Sequence, residues 1–301
     1  MPTMSKWQSL PTEQINPASL HLDRASVPDI IEIMVAEDRK VVSAVLKEKE
    51  RIAHGVEIVA NALRRGGRLI FVGAGTSGRL GVLEAAEMPP TFGLPPTVVH
   101  AIMAGGKDAV FRAKEGVEDD FEEGARALAR LRPTRRDVVI GVSASGITPF
   151  VRGALTRARK GNLKIVFVTC WPGTELQNFV DLIIAPAVGP EVLTGSTRLK
   201  AATATKMVLN MLTTVAMVRI GKTYGNLMVD LRATNSKLRD RARRIVETIV
   251  GLDESAAADL LARCGGELKT AIVAGRVGCS PDAARERLQQ AGGQVRGAIG
   301  E

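Results

Sequence analysis

Three clusters of small hydroxyl residues, each set where a strand or loop runs into a helix, are the residues of this chain best suited to chemistry. The first is Gly73-Ala74-Gly75-Thr76-Ser77-Gly78, directly after the apolar run Leu69-Ile70-Phe71-Val72. Its glycines allow a tight turn and close backbone approach, and the helix expected to follow aims unpaired N–H groups at whatever occupies the loop. Such a place is an anion site, and phosphate is its usual guest. Gly75, Thr76 and Ser77 are the candidate contacts.

The same letters satisfy G-x-G-x-x-G, the dinucleotide fingerprint. That reading needs an acid about 20 residues on, at the tip of the second strand, to hold a ribose hydroxyl. The expected second strand, 97–104, ends instead in Gly105-Gly106-Lys107. A Thr-Ser pair in the loop also suits a terminal phosphate monoester better than a pyrophosphate. A purely structural glycine turn is the remaining alternative. The second cluster follows the apolar run 138–142 and supplies Ser143 and Ser145. The third, Thr194-Gly195-Ser196-Thr197, precedes a long helical run, so Ser196 and Thr197 are either ligand contacts or helix caps. In an open α/β sheet such junctions gather at the carboxyl ends of the strands, where ligands bind.

The elements that must position these loops alternate. Strands are expected near 68–73, 97–104, 137–142, 163–169 and 181–186, with helices near 79–88, 107–131, 149–160 and 174–179. Helices at 28–36 and 39–64 precede them, the first opened by Ser26-Val27-Pro28, and a long helix covers 197–220. Continuously apolar strands between helices argue an α/β fold, a parallel sheet sandwiched by helices. From about 250 the chain turns to short helices punctuated by Gly265-Gly266, Gly278 and Gly292-Gly293, with starts at Asp253 and Ser280. This gives a catalytic domain over 1–248 and a small helical domain over 249–301.

A net charge of +9 invites nucleic acid, but the basic residues are dispersed and aromatics are only 3%, too few to stack on bases. An anionic small molecule suits the charge at least as well. The first dozen residues are expected to be unstructured and carry no apolar leader, and Lys206, Asn210 and Thr213-Thr214 interrupt the longest apolar helix. The expectation is therefore a cytoplasmic protein with no membrane segment. Cys170, Cys264 and Cys279 are too few and scattered for a disulfide framework or a zinc site.

With three phosphate-type loops on a parallel sheet, the chain resembles the sugar isomerase (SIS) domain family. Its segments GAGTSGRLGVLEAAEMPPTFG, EGVED (115–119), SASGITPF, EVLTGSTRLKAATATKMVLNML and YGNLMVDLRATNSKL are similar, in order and spacing, to the N-acetylmuramic acid 6-phosphate etherase family. The resemblance runs from about Leu10 to the C-terminus. It implies a homodimer without metal or nucleotide cofactor, converting a sugar phosphate and water into N-acetylglucosamine 6-phosphate and D-lactate during cell-wall sugar recycling. The family's two glutamates align with Glu87 and Glu115. Where the family commonly has an arginine in the second loop this chain has Ile147, so Arg198 or Lys200 is expected to compensate. Glucokinase regulatory protein shares the fold without catalysis, and an aldose–ketose phosphate isomerase would use the same loops. A sugar-phosphate regulator and an isomerase are the alternatives.

The implied chemistry needs two carboxyl groups. Ring opening exposes an aldehyde at C1, which acidifies the C2 proton; a base removes it, lactate leaves C3 with help from an acid, and water adds to the double bond. Glu87 precedes Pro89-Pro90, which are expected to halt its helix, so the dipole's negative end and burial would keep it protonated as the acid. Glu115 opens the acidic run EGVEDDFEEG, whose other members are expected to face water. Glu84 is expected at an exposed helix position.

Overall fold

Ser26 opens the first long helix as expected: its Oγ accepts the Asp29 amide and Pro28 lies in the first turn. This helix, α1 (Val27–Lys47), does not stop at 36, because no glycine or proline interrupts 36–40. The break comes at Glu48, whose carboxylate accepts the Ala185 amide at 3.0 Å, and α2 (Lys49–Arg64) follows. The computed structural model describes residues 10–231 and 235–301. Only the first nine of the residues expected to be unstructured lie outside it; Leu10 and Thr12 are buried.

The chain forms two compact units, one running through Ala86 and resuming over Thr97–Thr214. Its sheet comprises β1 (Leu69–Gly73), β2 (Val99–Met103), β3 (Val138–Val142), β4 (Lys164–Val168) and β5 (Leu182–Ile184). The order is β2-β1-β3-β4-β5, every pair parallel, with Leu69 opposite both Val99 and Val138. From β1 the chain goes to one side for β2 and returns on the other for β3. The carboxyl ends of β1 and β3 therefore flank a crevice, the usual ligand position in such sheets.

Helices cover the sheet: α3 (Gly75–Phe92), α4 (Asp108–Phe111), α5 (Phe121–Arg130), α6 (Pro149–Lys160) and α7 (Lys200–Arg219). Ile70, Val72, Val139, Ile165 and Phe167 of the strands pack on Leu128, Phe150 and Leu155. The helix expected over 107–131 is broken: Gly116 takes φ +74°, a short turn follows at Val117–Asp119, and Asp120 caps α5 by accepting the Glu123 amide. Residues 174–179 form turns rather than a helix, with buried Thr174 bonded through its hydroxyl to the Gly146 carbonyl. Such side-chain-to-backbone bonds compete with helix formation. Among the described residues α7 is the one helix long and apolar enough to cross a bilayer, yet its Ala204, Val208, Leu209 and Leu212 are fully buried in the protein, as in a core helix.

The other unit comprises Glu87–Pro96 and Val215–Glu301. A hairpin, β6 (Thr223–Tyr224) with β7 (Leu227–Met228), leads to α8 (Ser236–Val250), α9 (Glu254–Arg263), α10 (Leu268–Val277), α11 (Pro281–Gln290) and α12 (Val295–Ile299). Asp253 and Ser280 cap α9 and α11 through their side chains, at the starts expected from sequence. The sequence boundary fell at 248, whereas contacts group α8 with the later helices: its Ile245, Val246 and Ile249 share one core with Leu260, Ile272 and Leu288. Asp230, between the Lys222 and Lys269 ammoniums at 2.9 and 2.6 Å, ties the hairpin exit to α10.

Candidate active site

α3 starts at Gly75, inside the glycine loop and four residues before the expected 79. Gly75 has φ +52°, a left-handed conformation that favours glycine. A Cβ on Gly73 would lie 2.6 Å from the Gly78 nitrogen, so only glycine lets β1 turn so directly into α3. The first turn of this helix, Gly75, Thr76 and Ser77, is one wall of a cavity of about 270 Å³ at the β1/β3 crevice. The amides a helix leaves unpaired at its start are thus part of that wall.

The loop after β3 makes the second wall with Ser143, Ala144, Ser145 and Thr148. The buried Ser143 hydroxyl accepts the Gly146 amide at 3.2 Å and bonds the Thr148 hydroxyl at 2.7 Å, with Ser145 Oγ 3.4 Å away. Ser143 therefore shapes the loop as well as lining it. Thr148 carries no distinguishing signal in the sequence, where it reads as the residue before a helix-opening proline. Gly195 and Thr197 make the third wall; Ser196 is not part of the lining. Neither Ser196 nor Thr197 caps α7, because the Glu191 carboxylate accepts the Lys200 and Ala201 amides at 3.0 and 2.8 Å. Burial pushes the Glu191 carboxyl above its ordinary range, and those amides and Lys200 oppose the rise.

Among the described residues no lysine or arginine lines this cavity. Ile147 is buried, Arg198 is exposed and outside the lining, and Lys200 is buried against Glu37 at 2.5 Å. The compensation expected from Arg198 or Lys200 is therefore not found: Lys200 is committed to the interior. An anion placed here would meet hydroxyls, amides and the positive end of α3. The cavity's size suits a sugar phosphate, and β2 does end without an acid, as the case against a dinucleotide required. A larger groove of about 1010 Å³ borders β2, but Ile102, Val110, Phe111, Val117 and Phe150 make its walls largely apolar.

Burial alone would raise the Glu37 carboxyl, but hydrogen bonds from Lys200, Lys40 and Asn16 outweigh it and hold it down at about 2. A carboxyl depressed from 4.5 to about 2 contributes stability that is fully present above pH 4.5 and lost as pH falls towards 2. That increment is about 3 kcal/mol. Glu37→Gln should destabilise the protein at pH 7, and its stability gap from wild type should shrink as pH falls from 4.5 towards 2. Denaturant unfolding at both ends of this range checks it, and a pH-independent gap contradicts the ion-pair account.

The carboxylates are distributed differently from the expectation. Glu115 is exposed just before left-handed Gly116 and does not line the cavity. Glu118, assigned to water with the rest of the acidic run, lines the cavity while still exposed, as does Glu13. Arg79 braces this region by donating to the Val110 and Ala109 carbonyls, both at 2.8 Å. Glu87 is exposed on α3, within the segment grouped with the C-terminal unit. Pro89 and Pro90 lie inside α3, which runs on to Phe92, so neither the helix end nor the burial expected at Glu87 is present. Glu84 is buried rather than exposed, accepting the Thr213 hydroxyl at 2.8 Å and an amide N–H of Asn210. Among the described residues no group of His, Cys, Asp and Glu is arranged to hold a metal ion.

Residues 51–159 match the family described as the glucokinase regulatory protein N-terminal SIS domain. N-acetylmuramic acid 6-phosphate etherase of Rubrobacter xylanophilus is 52% identical, the alignment covering 97% of this chain and 96% of that protein. The chain belongs to the N-acetylmuramic acid 6-phosphate etherase family. Etherases of this name from Salinibacter ruber (52% identical, covering 97% of this chain and 94% of that one) and Mycolicibacterium smegmatis (49%, covering 97% and 98%) agree. A phosphoheptose isomerase structure from Neisseria gonorrhoeae aligns with 64% of this chain and 98% of its own at 17% identity, TM-score 0.48. The etherase match extends through both compact units, whereas the SIS match lies within residues 51–159.

Proposed function

We propose that the protein cleaves the D-lactyl ether of N-acetylmuramic acid 6-phosphate by elimination and water addition, releasing N-acetylglucosamine 6-phosphate and D-lactate. The observation that carries this is 52% identity over 97% of the chain to an etherase of that name. The cavity supports it chemically: its hydroxyls and the first-turn amides of α3 suit a phosphate monoester. Glu115 serves as the base at C2 and Glu87 as the acid at the departing lactate oxygen, the roles their alignment with the family implies. Gly75, Thr76, Ser77, Ser143, Ser145 and Thr197 hold the phosphate and sugar hydroxyls, with Ser196 supporting the third loop. A phosphorylated sugar does not diffuse across a bilayer and stays in the compartment where it is made, which supports a cytoplasmic reaction. Incubation with substrate in oxygen-18 water tests the reaction. Label at C3 of the released N-acetylglucosamine 6-phosphate is expected; label in lactate, or no release, overturns it. An isomerase would instead interconvert an aldose and ketose phosphate, and a regulator would bind without turnover.

The active form is a dimer of this chain paired through α1. Ile31, Val35, Val42 and Leu46 are 56%, 48%, 59% and 67% exposed, an apolar stripe along one face of the helix. An antiparallel pair centred between residues 38 and 39 sets Ile31 against Leu46, Val35 against Val42 and Asp38 against Arg39 of the second copy. The apolar and charged positions are thus self-complementary, as an isologous two-fold contact requires. Light scattering should give twice 32.0 kDa for wild type and a monomer for Val35→Glu. A monomeric wild type, or a dimeric variant, contradicts this interface.

A further inference from the structure

Residues 10–16, ahead of α1, are built into the site. The Thr12 carbonyl accepts the Gly195 amide at 3.1 Å, and the Asn16 side chain donates to the Pro190 carbonyl at 3.0 Å. Leu10 and Thr12 are 1% and 3% exposed, so the segment is strapped along the third loop rather than trailing in solvent. Between these anchors Glu13 reaches the cavity beside Gly195, where an added Cβ would lie 3.2 Å from Glu13 Oε2. Leu10 and Glu13 are both lining residues.

A carboxylate in an anion pocket has a specific consequence. Among the described residues the lining holds the hydroxyls and amides that suit a phosphate, two carboxylates, and no cation. A carboxylate repels a bound phosphate, so it favours a ligand only through that ligand's hydrogen-bond donors. A sugar phosphate carries several such donors, its hydroxyls and acetamido N–H, set apart from its charge; inorganic phosphate has only P–OH groups, borne on the same anion that the carboxylate repels. We propose that Glu13 is a specificity-determining residue, whose carboxylate accepts a hydrogen bond from a hydroxyl or the acetamido N–H of the sugar. It thereby selects sugar phosphates over bare phosphate. This rests on the sugar-phosphate function proposed above.

The test measures binding of two probes, N-acetylglucosamine 6-phosphate and inorganic phosphate, to wild type, Glu13→Gln and Glu13→Asp by calorimetry. Glu13→Gln should weaken the sugar phosphate by about tenfold or more, the scale of a hydrogen bond to a charged group. Phosphate affinity should hold or rise, since repulsion has been removed. Glu13→Asp, with its carboxylate drawn back by one methylene, should fall between the two. An equal loss of both ligands would show a strap that merely supports the third loop, and unchanged sugar-phosphate affinity would show no contact; either overturns the proposal. A wild type that binds neither probe overturns the reading of the site, and this proposal with it, before any variant is compared.

Discussion

Glu115→Gln is expected to suppress exchange of the substrate's C2 proton with solvent deuterium, and to slow lactate release by about 10²–10⁴-fold, the usual contribution of a positioned general base. Glu87→Gln should slow lactate release on the same scale while retaining part of the C2 exchange. The difference follows from the order of steps. Deprotonation at C2 needs only the base and the ring-opened aldehyde, whereas expulsion of lactate needs a proton on the C3 oxygen. Exchange and release are read in one experiment, by mass spectrometry of recovered substrate and assay of lactate. The opposite pattern would exchange the two roles and leave the etherase standing. Near-normal release from both variants would defeat the mechanism. Because Glu118 lines the cavity and Glu115 does not, Glu118→Gln is the informative third variant. If it alone abolished exchange, the base would be Glu118.

Unphosphorylated N-acetylmuramic acid is expected to be a very poor substrate. On the proposed function, removing the phosphate deletes charge-assisted hydrogen bonds to the hydroxyls of Thr76, Ser77 and Ser145 and to the first-turn amides of α3. Each is worth about 1.5–3 kcal/mol. Even two of them at the lower end imply a loss in kcat/KM of about 10²-fold or more. The loss should appear with wild-type enzyme and saturating sugar, because binding energy from the non-reacting phosphate also orients the reacting carbons. Comparable efficiency on both sugars would remove the phosphate from this cavity and leave the hydroxyl loops with only a structural role.

The strand–loop–helix junctions were legible because each is local. An apolar run, a glycine and two hydroxyls within about a dozen residues specify a turn with unpaired amides, whatever the rest of the chain does. Helix limits were less legible. Pro89 and Pro90 normally end a helix, yet α3 continues through them to Phe92, with Met88 and Phe92 buried. Packing outweighed local preference there, as it commonly does. The acidic run beginning at Glu115 shows the same limit from the other side. Nothing in its letters distinguishes Glu118, in the cavity wall, from its neighbours; the left-handed turn at Gly116 and the short turn after it do.

The sequence by itself determined the parallel α/β fold, the three hydroxyl loops and their gathering at the carboxyl ends of the strands. These follow from hydrophobic runs and turn residues adjacent in the chain. Tertiary structure decided which polar groups the site can use. Lys200, a candidate phosphate ligand by position, is taken by Glu37, 163 residues away. Glu84 is drawn inside by Asn210 and Thr213, 126 and 129 residues away. Glu13 reaches the cavity on a stretch held across the fold by the Thr12–Gly195 and Asn16–Pro190 hydrogen bonds. A buried charge must find its partner wherever the chain brings one, since leaving it unpaired costs several kcal/mol (about 3–5 on loss of one partner). Such long-range pairings have no local signature, so the composition of the site is settled by the fold rather than by the motifs that announce it.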